Sequence, residues 1–268
     1  MSIDPRFSLL GLLIGFLIGL TGMGGGSLMT PIMILVMGVK PLVAVGTDLA
    51  YGALTRMVGA STHLRQGTVH RRTAYLLAAG SVPATILGVG LVTQIKSSNP
   101  SLVDGFLLRS IAWALILVAI ILGAKPFLVA GASRLGLRTS RDWRGEMVSA
   151  GERHLWVLPA IGAVVGFLVG LTSVGAGSLV IVTLFFLYPR WQVKDLVGTD
   201  VFHAAILVSG ASIAHFVAGD VNVPMMASLL IGSIPGVLLG SRLVLAVPEP
   251  LLRLGLASVL LVSGMQLL

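Results

Sequence analysis

The stretch LTGMGGGSLMTP, residues 20–31, breaks an almost uncharged apolar run with four glycines, residues that weaken a helix more than any other except proline. A second copy, LTSVGAGSLVIV, stands at residues 171–182. Residues 16–28 and 167–179 are identical at 9 of 13 positions. The register then gains one residue and continues. Gly46-Thr47-Asp48 meets Gly198-Thr199-Asp200, His63 meets His215, Gly67 meets Gly219, and GSVP at 80–83 meets GSIP at 232–235. The chain is a duplication, and repeats of this size mark many secondary transporters.

The background explains how such a phrase can persist. Of the 268 residues 56% are hydrophobic and 10% charged, and the mean hydropathy is +1.00, far from soluble usage. Several stretches, including 73–95, 106–124 and 223–247, reach the roughly 20 apolar residues a helical span requires. The composition therefore predicts an all-α polytopic membrane protein. The first segment is mature protein rather than a signal peptide: Arg6 is its one nearby basic residue, it lacks a small-x-small cleavage site, and it recurs deep in the chain.

Several function classes are excluded. The net charge is +8, but the basic residues fall between apolar segments, where positive-inside sorting explains them better than nucleic acid. There is no cysteine, hence no disulfide framework or thiolate metal site. The histidines at 63, 70, 154, 203 and 215 lack metal-ligand spacing. No metal or other cofactor is expected. No Ser-His-Asp order or paired carboxylates suggest an enzyme. GMGGGS lacks the Gly-Lys-Ser/Thr of a phosphate loop.

Two repeats, 1–123 and 154–268, flank a basic linker, 124–153. Each repeat has a Gly-broken segment (8–38; 155–187), one carrying GTD (41–62; 195–217), one carrying GS-x-P (73–95; 223–247) and a plain one (105–123; 250–268). If the first crosses once, the halves are parallel; if it turns back at its glycines, they are inverted. The linker holds Lys125, Arg134, Arg138, Arg141, Arg144 and Arg153, which places it in the cytoplasm, with Arg65, Arg71 and Arg72 on the same side. A single crossing would send Arg190, Lys194, Arg242 and Arg253 outside. A hairpin keeps them inside and is favoured. The expected fold is an inverted repeat in which each half has a re-entrant hairpin plus three transmembrane helices, in the cell membrane (inner or plasma).

Non-helical backbone at membrane depth survives only when protein buries it or it lines a polar cavity. Hairpin tips at Thr21, Gly24, Gly25, Gly26 and Ser27, and at Thr172, Ser173, Gly175, Gly177 and Ser178, would expose helix N-termini and hydroxyls to an anion. The competing explanation is small-residue packing between helices. Asp48 and Asp200 lie within apolar segments, and an intramembrane ionisable group is a functional candidate; helix capping is the alternative. Arg56 shares a face with Asp48, two turns on, and Val208 replaces it in the second repeat. His63 and His215 read as interfacial anchors, and His203 as a packed residue, although each could carry a proton. Pro83 and Pro235 read as ordinary kinks, and Arg109 as a snorkelling side chain.

The combination of GLTGMGGGS at 19–27 with PLVAVGTDLAYGALTRMVGASTHLRQGTV at 41–69 resembles the sulfite exporter TauE/SafE family, also called the 4-toluene sulfonate uptake permease family, over nearly the whole chain. The resemblance implies a small membrane protein that moves sulfite, sulfonates, sulfoacetate or related anions. It points at Thr21 and Gly24 to Ser27, at Thr47, Asp48 and Arg56, and at Thr172, Gly175 to Ser178, Thr199 and Asp200. Ser173 and Ala176 replace Gly22 and Gly25, so the two tips are not chemically equivalent. The resulting expectation is an exporter of a small sulfur-containing anion. The bilayer is its surroundings, and Asp48, Asp200, His63, His203 and His215 are candidates for proton coupling. Rivals are an anion channel, a carboxylate permease and a membrane accessory protein with no solute.

Overall fold

The computed structural model describes residues 4–21, 26–134, 156–175, 177–188, 191–243 and 249–268. Every regular element among them is a helix. In chain order these are α1 (Pro5–Thr21), α2 (Gly26–Leu35), α3 (Pro41–Arg65), α4 (Arg71–Ser98), α5 (Pro100–Arg134), α6 (Val157–Thr172), α7 (Ser178–Leu187), α8 (Val193–Val217), α9 (Val223–Leu243) and α10 (Glu249–Leu267). Four stretches, Arg71–Ser98, Pro100–Ala124, Lys194–Val217 and Val223–Gly240, are long and apolar enough to cross a membrane. With Leu9, Leu13, Val58, Leu87, Trp113, Ile120, Phe216 and Val217 exposed, the molecule is a multi-pass helical membrane protein whose lipid replaces water at its flanks.

The sequence segments and the helices correspond closely, with one difference. The fourth segment of the first repeat reads as ending at 123, yet α5 continues to Arg134. Apolar residues recur through FLVAG at 127–131, and the helix runs on through Pro126. The rest of the linker lies outside the described residues.

Packing joins one repeat to the other at every level. The pairs are α1 with α9, α4 with α6, α3 with α8, and α5 with α10. Exchanging the repeats maps this set onto itself. Two of the pairs are glycine seams. A Cβ on Gly11 or Gly15 of α1 would collide with the backbone of Leu229 or Ser233 of α9, and one on Gly162, Gly166 or Gly170 of α6 with that of Leu77, Ser81 or Thr85 of α4. Without side chains the backbones can touch, which drives helix association where lipid supplies no hydrophobic force. In both seams the residue numbers rise together, so the paired helices run parallel.

The His-x-x-x-Gly elements end α3 and α8. Gly67 has φ +69° and Gly219 φ +75°, the left-handed turn that glycine takes without steric cost. Thr68 N–H bonds His63 O at 3.2 Å and Asp220 N–H bonds His215 O at 3.0 Å, the six-to-one closure that satisfies a helix's last carbonyls. Each closure then receives the GT of the other repeat. Gly46 packs on the Asp220 carbonyl and Gly198 on Thr68. Thr47 Oγ1 accepts the Asn222 N–H at 3.0 Å, and Thr199 Oγ1 accepts the His70 N–H at 3.0 Å. The result is two equivalent joints, each built from a helix start in one repeat and a helix end in the other.

The joints differ at the residue that closes the helix, Thr68 in one and Asp220 in the other. In the first closure His63 Nδ1 meets Thr68 Oγ1 at 3.0 Å. In the second, His215 Nδ1 lies 3.4 Å from Asp220 Oδ2, and Lys96 Nζ donates to Asp220 Oδ1 at 2.6 Å. Burial opposes the charge of the Asp220 carboxylate, but His215 and Lys96 outweigh it and hold the group below the usual carboxylate range. His215 Nε2 also bonds the Gly170 carbonyl at 3.0 Å, tying this joint to α6.

Candidate functional site

α3 and α8 cross antiparallel at close range. A Cβ at Gly52 would lie 3.5 Å from Val208, and one at Gly59 would lie 3.3 Å from Val201. This contact places Asp48 and Arg56 of α3 in the same region as Asp200 and His203 of α8. Asp48 is 1% exposed, Asp200 3% and His203 0%, so these ionisable groups are shut away from solvent. Neither aspartate caps a helix, because both sit two turns inside one. For their own helices the capping alternative is therefore corrected: both side chains are buried inside the protein.

Asp48 is held by two hydroxyls. Thr30 of α2 donates to Oδ2 at 2.6 Å, and Ser173 donates to the same oxygen at 2.9 Å. Ser173 is the residue on which α6 ends. Its φ is +60°, a strained conformation for a residue with a Cβ, and its N–H closes the helix on Val169 O at 2.8 Å. Gly175, at φ +97°, then turns the chain towards α7. The second glycine phrase thus reaches across to the first repeat through a side chain.

Gly177 is the N-cap of α7. A Cβ there would lie 3.3 Å from Asp200 Oδ2, so the carboxylate rests against the start of this helix. The Arg56 guanidinium lies back over Gly52, with Nη1 4.0 Å from the position a Cβ would take. It is within electrostatic reach of Asp48, Asp200, Tyr51 and His203. His203 Nε2 bonds Ser81 Oγ at 2.9 Å. Tyr51, at the position equivalent to His203, faces Ser233, the equivalent of Ser81.

The structure brings together Asp48, Arg56, Ser173, Gly177, Asp200 and His203 from the sequence-derived set. It engages others elsewhere. Thr47 and Thr199 hold the joints, as do His63 and His215. Thr172 donates to Leu168 O at 2.7 Å within its own turn. Ser27 is half-buried in the first turn of α2, which Gly26 opens, Thr21 ends α1, and Ser178 opens α7. Gly24, Gly25 and Ala176 lie outside the described residues. Sequence reasoning missed Thr30 and Ser81. Thr30 is the one polar residue between Leu28 and Leu35, and Ser81 belongs to the repeated GS-x-P phrase; both signals were present.

A groove of about 760 Å³ between α4 and α8, lined by Ile86, Val89, Thr93, Gln94, Ile213 and Val217, contains none of these ionisable groups. The chemistry sits in the helix-crossing region instead. One guanidinium, two carboxylates and a helix N-terminus inside a membrane bundle can hold a small charged solute and move a proton.

A multi-pass helical bundle with a buried charged centre defines a membrane transporter, and comparison with known proteins agrees. The chain belongs to the sulfite exporter TauE/SafE family, whose model matches residues 7–267. It is 39% identical over 260 residues to the probable membrane transporter protein YjnA of Bacillus subtilis strain 168, covering 97% of this chain and 98% of that one. It is 29% identical to the probable membrane transporter protein YunE of the same organism, covering 97% and 95%. No solved structure matches it significantly.

Proposed function

We propose that this protein is a secondary transporter that exports a small sulfur-containing anion, of the sulfite, sulfonate or sulfoacetate type, across the cell membrane by alternating access. The observation that carries this reading is Arg56, one cation set inside α3 between two buried aspartates and the start of α7. Intramembrane charge is costly and is kept where a solute uses it. Arg56 would take the anion's oxygens as a planar donor fork, and the first amides of α7 would complete the cradle. The family's description as sulfite exporters and the transporter names of its relatives favour this solute class. Burial of Asp48, Asp200 and His203 favours a gated carrier over an open channel.

Three sets of contacts support an inverted repeat with re-entrant tips. The Asp4 N–H bonds Ser228 Oγ at 3.2 Å, so α1 starts beside the first turns of α9. α2 leads through Gly38 to α3, whose Thr47 also meets this side at Asn222. In the second repeat α6 starts along the first half of α4, and the chain after α7 returns to the same side: Tyr188 stacks on Trp191, which stacks on His70. The arms α2 and α7 are 10 residues each, about 15 Å of helix against about 30 Å of hydrocarbon. Arg65, Arg71, Arg72 and Lys194 gather on the linker side, which supports a cytoplasmic placement of that side. A negative-inside potential then drives an anion outward, at about 2.3 kcal/mol per charge per 100 mV.

The test is binding followed by counterflow. Sulfite or methanesulfonate should raise the thermal midpoint of purified protein, since a ligand of the folded state stabilises it. Arg56→Ala should lose at least about tenfold in affinity, given the worth of a charge-assisted hydrogen bond. In proteoliposomes, unlabelled anion on the far side should accelerate exchange. Full-strength binding by Arg56→Ala would remove the site, and a strictly passive, unsaturable conductance would make the protein a channel.

A further inference from the structure

The two aspartates of the duplicated GTD phrase have different surroundings. Asp48 Oδ2 accepts hydrogen bonds from Thr30 and Ser173. The equivalent positions in the other repeat are Ile181 and Gly22, and neither has a hydroxyl to offer. Asp200 is 3% exposed; its Oδ1, like that of Asp48, has no hydrogen-bond partner among the described residues, so the two carboxylates differ at Oδ2. Asp200 Oδ2 lies against Gly177, the N-cap of α7. The first amides of a helix have no partner inside it and carry partial positive charge. The carboxylate therefore rests where an oxygen of the transported anion would rest.

We propose that the Asp200 carboxylate is a resident stand-in for the substrate at the start of α7, and that it must take up a proton before the anion can replace it. The inference rests on the anion-transport reading and adds one co-transported proton at a named residue, so that a monoanion crosses without net charge and the membrane potential acts only on the remaining charge of a dianion. With both carboxylates ionised, Asp48, Arg56 and Asp200 sum to one negative charge, which repels an incoming anion in a medium of low dielectric. A proton from water, bonded to the Asp200 carboxylate, cancels that charge; the acid then leaves the helix start to the anion. On the opposite side the anion departs, the proton returns to water, and the carboxylate resumes its place.

The charged and titratable groups around Asp200 are few. Arg56 faces it from α3, with Asp48 beyond the arginine. His203 is one turn along its own helix. α6 and α7 contain no ionisable side chain. α4 presents Ser81 to His203 and Tyr75 to Phe202. Asp48 is held in place by two donors and lies within electrostatic reach of Arg56.

The test titrates the purified full-length protein calorimetrically with methanesulfonate, and in parallel with sulfate, across the neutral and mildly acidic range in buffers of different ionisation enthalpy. Wild type should take up about one proton per anion, and above the midpoint its affinity should fall about tenfold per pH unit, because only the protonated fraction is competent. Asp200→Asn should bind with no proton uptake and a flat pH profile. The wild-type proton count needs no variant, so a misfolded Asp200→Asn does not shield the proposal. Wild-type binding without proton uptake, or a wild-type slope in Asp200→Asn, overturns it and leaves the anion-transport reading standing. If neither anion binds at any pH, the sulfur-anion reading falls and the proposal with it.

Discussion

Ser173 shows how one side chain can be conformationally poor and structurally necessary. Its φ of +60° costs a residue with a Cβ about 1–2 kcal/mol, and its hydroxyl returns a hydrogen bond to a buried carboxylate. Two substitutions separate these terms. Ser173→Ala keeps the backbone strain and loses the bond, while Ser173→Gly loses the bond and relieves the strain. The thermal midpoint should fall furthest in Ser173→Ala, with Ser173→Gly between it and wild type by about 1 kcal/mol. An alanine variant as stable as the glycine variant would show that the left-handed turn carries no strain. Sequence comparison of the repeats marked Ser173 as a departure from Gly22, but could not find its partner, because Asp48 is 125 positions away and only the fold brings the two together.

At the scale of elements, the duplicated phrases divide their work in a way that residue type alone did not disclose. GTD reads as two candidate site residues, Thr47 and Asp48, yet Thr47 serves a joint beside Gly46 and only Asp48 faces the centre. The same holds for Gly198, Thr199 and Asp200. His-x-x-x-Gly reads as a proton carrier or anchor and is a helix stop, legible in retrospect because a glycine just past a helix's C-cap is closing chemistry. Small-residue packing, offered as the rival explanation for the glycine phrases, applies to the arms that lead into them, at Gly11, Gly15, Gly162 and Gly166. The joints also carry a pH signature. Asp220 titrates below the usual carboxylate range when folded, so its contribution is present above about pH 4 and is lost as pH falls through the lower folded value. Lys96→Met should lower the thermal midpoint at neutral pH by the equivalent of about 1 kcal/mol or less, since the lysine is partly exposed. That difference should shrink in acid as Asp220 protonates. A gap that stays constant across pH would remove the ion pair from the account.

For the whole molecule, apolar content and the repeat made the helical membrane class and the helix order legible from composition and period. What the one-dimensional record could not supply was the pairing of repeats, because α1 finds α9 and α4 finds α6 through shape, by bare backbone fitting bare backbone. The orientation of the repeats has a direct test, since the chain lacks cysteine. Gln192→Cys should react with an impermeant maleimide only after the cytoplasmic face is opened, and Val221→Cys should react from outside in intact cells. Labelling of both from one side would end the inverted arrangement. Both positions are at least partly exposed, so accessibility depends on the side of the membrane rather than on burial.

The two joints have a further implication. Each needs a helix start bearing Gly-Thr and a helix end bearing a left-handed glycine turn, and each repeat carries one of both. A single repeat therefore holds both members of a mutual clasp, and two copies of it would close two clasps at once. On the proposed inverted arrangement, the unduplicated ancestor would be a homodimer whose subunits sat in the membrane in opposite senses, and fusion through a basic linker would have fixed which copy faced which way. Once fixed, the copies could diverge: Arg56 stands opposite Val208, Thr30 opposite Ile181, and Ser173 opposite Gly22. The inequality between Asp48 and Asp200 is the kind of specialisation that two identical subunits could not have acquired.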